Sequence, residues 1–171
     1  FLSYCSDPKT AGNYGLKAPG LEGFLYPDTY RFSKGLPVSV IVGVMVKRFF
    51  EKMGPLNGRI EQSGMTLEQV VDLASIIEKE TGSASERPLI ASVFLNRIDK
   101  GMRLQSDPTA VYDIVGFEGP ITRKELTRFS AYNTYIVEGL PPGPICNPGL
   151  DSMLAVLEPA HTDFLYFVSK N

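Results

Sequence analysis

A single histidine, two cysteines and the absence of any long apolar run set the first limits on this 171-residue sequence. A zinc site ordinarily clusters Cys, His or carboxylate ligands at short spacings. Cys5, Cys146 and His161 are scattered instead. No metal and no organic cofactor are therefore expected. The cysteines are expected to be unpaired, with a disulfide between them as the alternative. His161 lies in the turn-like Pro159-Ala-His-Thr-Asp163, and no Ser or Cys stands in a nucleophile elbow, so His161 reads as a surface loop residue. The 19 acidic and 17 basic side chains are interspersed without a basic stripe, which argues against nucleic acid as a partner. No stretch approaches the roughly 20 apolar residues that cross a bilayer; Val38 to Val46 is interrupted by Ser39 and Gly43. The sequence opens at Phe1 without an initiator methionine, and the expectation is that the true N-terminus, with any signal or membrane anchor on it, lies ahead of Phe1. Elimination leaves carboxylates, amides and tyrosines to do any chemistry.

What is present suffices for a core, since 43% of the residues are hydrophobic, enough for one domain with or without a small appendage. Leu25 to Phe32 reads as a short strand around Pro27. Pro37 sits where a helix can begin, and Val38 to Met53 is apolar at helical spacing until Gly54-Pro55 ends it. A second helix is predicted from Thr66, with Gln69 completing a capping box, to Gly82. A third runs from near Ser85 to Gly101 with Ile90, Val93, Phe94 and Arg97 on one stripe. Helical turns are predicted at Thr109 to Ile114 and Thr122 to Leu126. Gly139 to Gly149 is a Pro-rich extended loop, read either as one wall of a groove or as a plain connector. Asp151 to Leu157 reads as a short helix capped by Asp151, and Phe164 to Val168 as a closing strand. There is no internal repeat. The expected fold class is α+β, helices packed with a few short strands around one core.

The helix from Thr66 carries the most telling anomaly. At about 100° per residue, Leu67, Val70, Val71, Ala74 and Ile77 share a face, and Glu78 falls within about 20° of Leu67 on it. Asp72 and Lys79 project together on the polar side, and Glu80 points away. Burial penalises a charged carboxylate, which is how a carboxyl is kept protonated for use as a general acid. The alternative is a buried glutamate paired with Arg97 from the next helix. A catalytic Glu78 requires Arg97 to serve another carboxylate, such as Glu80 or Asp107.

Ala74-Ser-Ile-Ile-Glu-Lys-Glu-Thr81, Glu86-Arg87, Ala91-Ser-Val-Phe-Leu-Asn-Arg97, Gly101-Met-Arg-Leu-Gln-Ser-Asp-Pro-Thr109, Ala131-Tyr-Asn-Thr-Tyr135 and Gly139-Leu-Pro-Pro-Gly-Pro144 occur in that order. With Leu21-Glu-Gly-Phe-Leu-Tyr-Pro-Asp-Thr-Tyr30 and the closing Tyr166-Phe-Val168, they resemble the YceG-like family, from about Leu21 onward. The resemblance implies an endolytic murein transglycosylase, a lyase of bacterial cell-wall biogenesis, with a lysozyme-like glycan-binding groove and Glu78 as the catalytic residue. It implies cleavage of the β-1,4 bond between N-acetylmuramic acid and N-acetylglucosamine to leave 1,6-anhydro ends, trimming or terminating nascent strands. One carboxyl serves as acid and then as base on the sugar's own 6-hydroxyl. A hydrolytic muramidase and a non-catalytic peptidoglycan-binding scaffold are the rival functions.

Gln105, Ser106 and Asp107 are candidates for hydrogen bonds to the glycan, although Ser106-Asp107-Pro108-Thr109 also reads as a helix N-terminus. Tyr132 and Asn133 resemble the Tyr-Asn pair that other lytic transglycosylases place beside their glutamate, and tyrosine can stack on a sugar while donating a hydrogen bond. Glu80, Arg97 and Asn96 are secondary candidates, while Tyr112 and Tyr135 read as packing residues. The resemblance further implies glycan strands as substrate, penicillin-binding proteins as partners, and a place on the outer face of the cytoplasmic membrane through an N-terminal anchor absent here. Residues 1 to about 20 are expected to be the end of a LysM-like module or a linker, and 21–171 the catalytic domain without the family's C-terminal tail.

Overall fold

The computed structural model describes residues 1–168. Nine α-helices follow one another among them: α1 Leu2–Cys5, α2 Pro8–Asn13, α3 Val38–Met53, α4 Asn57–Ser63, α5 Leu67–Glu80, α6 Arg87–Asp99, α7 Asp107–Val111, α8 Arg123–Leu126 and α9 Leu150–Leu157, with a 3-10 turn Gly54–Leu56 between α3 and α4. α5 lies at the centre, packed against α6, α7 and α9, and α6 also packs on α9. Its start follows from the predicted capping box. The Thr66 side chain accepts from the Gln69 N–H at 3.2 Å and the Gln69 side chain accepts from the Thr66 N–H at 2.9 Å, satisfying two otherwise orphaned donors. α3 begins after Pro37 and ends at Gly54, as predicted. Val42, Val46, Phe49 and Met53 from α3 join Leu73, Ile76 and Ile77 from α5, Ile90 and Phe94 from α6, and Met153 and Val156 from α9 in one core. Cys5, Ala11 and Leu16 are buried in that same core, and Cys5 and Cys146 are both free thiols. No helix among the described residues is long and apolar enough to cross a membrane.

The expected α+β class is overturned: the described residues hold no strand. Neither segment read as a strand forms a ladder, and side chains take backbone groups there instead. The Leu25 N–H goes to Asn147 Oδ1 at 3.1 Å, and the Tyr26 carbonyl accepts from the Tyr30 hydroxyl at 2.7 Å. At the other end, Asn96 Nδ2 donates to the carbonyls of Thr162 at 2.8 Å and Phe164 at 2.9 Å, and Arg97 Nε donates to that of Leu165 at 2.8 Å. Backbone groups must find partners, but nothing requires those partners to be another strand. The Arg97 guanidinium also sits 5.0 Å from the centre of the Tyr166 ring, and Phe167 meets Phe94 edge-on at 5.7 Å.

Candidate active site

Glu78 stands in the last turn of α5, where the helix emerges from the core. Its side chain is 30% exposed, not enclosed as its place on the apolar face suggested, because it lies in the last turn of the helix, beyond the buried run Val70 to Ile77. Three donors meet the carboxylate. The Gly149 N–H reaches Oε2 at 3.1 Å, the Ser152 hydroxyl reaches the same oxygen at 2.6 Å, and Arg87 Nη2 approaches Oε1 at 3.4 Å. Gly149 is the N-cap of α9 and offers no capping side chain of its own, so Glu78 supplies the missing acceptor from another helix. A helix N-terminus favours an anion there. Asp151, expected as that cap, instead sits inside the first turn and faces Arg87 Nη1 at 3.5 Å.

Arg97 does not reach Glu78. Its donors go to the carbonyls of Leu104 and Leu165, so it serves backbone acceptors instead of the carboxylates proposed for it. Arg87 takes the ion-pair position. Ser152 and the Gly149 N–H escaped sequence reasoning altogether, and Asp151 was read only as a cap; the signal that could have found them is a helix start with glycine at its cap, which leaves donors free for an anion from elsewhere.

The Pro-rich loop 139–149 binds α5 to the first extended segment. The Ile145 N–H donates to Ser75 Oγ at 3.0 Å, and Asn147 Oδ1 accepts from Gly23 and Leu25. Cys146 donates its S–H to the Ser75 carbonyl at 3.3 Å; burial pushes its thiol up to about 12, with Lys79 opposing and Glu78 and Glu22 adding to the rise. Two clefts flank this loop. One, of about 290 Å³, is lined by Glu22, Tyr112, Tyr132, Pro144 and Asn147 together with the N-terminal Phe1, Leu2, Cys5 and Ser6. The other, of about 530 Å³, lies between Lys79, Tyr112, Phe117, Ile121 and Ile145. Tyr112 lines both. Its ring lies 4.7 Å from that of Tyr132, and its hydroxyl donates to Glu22 at 2.8 Å. Burial, more than Glu22, holds the Tyr112 phenol well above its ordinary value.

The remaining candidates form a second cluster. The Ser106 hydroxyl donates to Glu80, and the Tyr135 hydroxyl to Asp107. Burial pushes the Glu80 carboxyl upward, with the Ser106 hydroxyl opposing. Gln105 is exposed and has φ of 52°, the one positive value at a non-glycine among the described residues, a strained state for its residue type. Its N–H donates to the Thr134 carbonyl at 3.1 Å, and the Ser106 N–H to Thr134 Oγ1 at 3.0 Å. Asn133 is fully buried. Its amide donates to the carbonyls of Glu125, Leu126 and Arg128, and its oxygen accepts from the Tyr135 N–H, so it shapes the loop beside Tyr132 and reaches no cleft itself. Asn96 holds the C-terminal segment.

A model of the YceG-like family matches residues 5–171. A Bacillus subtilis protein named endolytic murein transglycosylase is 38% identical over 160 residues, covering 93% of this chain and 44% of that relative. A Streptococcus pneumoniae protein of the same name is 31% identical over 154 residues, 87% of this chain and 28% of its own length. A crystal structure of a YceG-like protein from Listeria monocytogenes superposes with a TM-score of 0.89 at 38% identity, covering 98% of this chain and 60% of that one. The chain thus spans less than half the length of the curated relatives it matches.

Proposed function

Because this chain belongs to the YceG-like family, we propose that it is the glycan-cleaving part of an endolytic murein transglycosylase working outside the cytoplasm on peptidoglycan strands, with Glu78 as its acid/base. One observation carries the reading: a partly open carboxylate sits where α5, α6, α9 and the Pro-rich loop converge, gripped on one oxygen only. Gly149 and Ser152 fix Oε2, while Oε1 has a single loose contact. Oε1 is therefore the oxygen able to carry the proton.

The proton passes from Oε1 to the glycosidic oxygen as the bond to the anomeric carbon of N-acetylmuramic acid breaks. The carboxylate left behind stabilises the oxocarbenium-like sugar. It then takes the proton of the 6-hydroxyl as that oxygen bonds to the anomeric carbon, closing the 1,6-anhydro ring and restoring the acid. No water is consumed. Tyr132 and Tyr112 offer ring faces to sugars along the first cleft, and exposed Gln105 offers an amide. Ser106, Asp107 and Asn133 act through the loops they hold, with Glu80 supporting Ser106.

Mass spectrometry of glycan strands digested by the chain tests this. Anhydro ends are expected; reducing ends would transfer the reading to a hydrolytic muramidase, and strands bound but uncut would favour a scaffold. Glu78→Gln should lower cleavage at least about 100-fold, while Glu80→Gln retains much of it. The reverse result would move the acid to Glu80.

A further inference from the structure

We propose that Arg87 is a positioning residue shared between Glu78 and Asp151, and that this sharing keeps the guanidinium from seating fully on the Glu78 carboxylate. The proposal rests on Glu78 being the acid/base. Arg87 opens α6, with its side chain only 12% exposed. A guanidinium seated on one carboxylate makes two parallel contacts near 2.8 Å or so. Arg87 makes one long contact to each of two carboxylates, 3.4 Å to Glu78 and 3.5 Å to Asp151, and its buried Nε has no partner. It is held between two acceptors and committed to neither.

Full commitment to Glu78 would add a second strong stabiliser of the charged form to the α9 N-terminus already there. An acid needs that form disfavoured until the proton has been delivered. Asp151 draws the guanidinium aside. It is 67% exposed, so its pull is screened and is the weaker of the two. Of the other groups facing Glu78, Cys146 on the Pro-rich loop is a neutral thiol, with Lys79 of α5 and Glu22 beyond it, and Ser152 of α9 is uncharged. Arg87 and Asp151 are therefore the charges that substitution can use to move the balance.

The test is the rate of glycan cleavage against pH for the parent, Arg87→Gln, Asp151→Asn and the double variant. The alkaline limb reports loss of the acid's proton. Removing the Arg87 charge should carry that limb upward by on the order of one pH unit. Asp151→Asn should carry it downward by less, because the freed guanidinium settles on Glu78. In the double variant Asp151→Asn should add nothing, its effect having passed through Arg87. Equal loss of rate at every pH with the limb unmoved would mean a purely structural Arg87 and overturns the proposal, as does a downward shift for Arg87→Gln. Asp151→Asn alters an exposed side chain, so an unmoved limb in that variant overturns the proposal even where Arg87→Gln fails to fold. Full activity of Glu78→Gln would instead remove the acid/base reading, whatever the Arg87 variants do.

Discussion

Asp72 is the residue whose surroundings differ most from its pattern in the sequence. Helical spacing put it with Lys79 on the polar side of α5, yet it is 9% exposed. The Pro-rich loop is anchored on Ser75, one turn away. Burial, with Glu68 adding to it, pushes the Asp72 carboxyl up to about 7. A folded value above the ordinary 3.8 means the native state holds the proton more tightly than the unfolded chain. The associated stability is fully present below about pH 3.8 and is lost as pH rises through about 7. Asp72→Asn should therefore be the more stable protein at pH 8, by on the order of 1–3 kcal/mol, and the gain should vanish near pH 4. Denaturant melts at the two pH values check this; a variant weaker than its parent at pH 8 would contradict it. Glu78 shows the same limit from the other side. Its helix face was legible, but its exposure was not, since periodicity gives direction around an axis and says nothing of where the core ends along it.

At the level of elements, those with chemically explicit ends were legible. Thr66 with Gln69 and Pro37 with Gly54 mark α5 and α3, because caps and breakers act within a few residues. The short helices α1, α2 and α4 were missed: they are too brief for an apolar period to show. Even so, Gly64 at φ of 72° closes α4 with the left-handed turn that glycine allows. The strands were misread because a period of two records which side chains face inward and not what the backbone bonds to. The same distinction governs the Pro-rich loop. Its link to α5 runs through Ser75, which accepts from the Ile145 N–H and donates to the Asp72 carbonyl at 2.7 Å. Ser75→Ala leaves a buried N–H without a partner and should destabilise the protein by about 1–3 kcal/mol. Hydrogen exchange at Ile145 should rise ahead of that in α5; unchanged protection there would show that the loop holds its place by packing alone.

Over the whole molecule, the site gathers groups far apart in sequence: Glu78 from α5, Arg87 from α6, Gly149 and Ser152 from α9. Motif spacing named the first and quoted the second without a role, and only the packing of α9 across α5 supplies the rest. The C-terminal segment carries a consequence of its own. Asn96 and Arg97 grip it by the carbonyls of residues 162, 164 and 165, atoms that every amino acid presents alike. The side chains of Phe164 and Val168 are exposed and contribute nothing to that grip. Tolerance to substitution is thus one-sided: the held segment is free to vary at its outward positions while keeping its course, whereas the two residues that hold it are not. Apart from the Tyr166 ring against Arg97 and Phe167 against Phe94, the anchor takes hold of groups that carry no identity, and the path of the segment across α6 is encoded some seventy residues upstream.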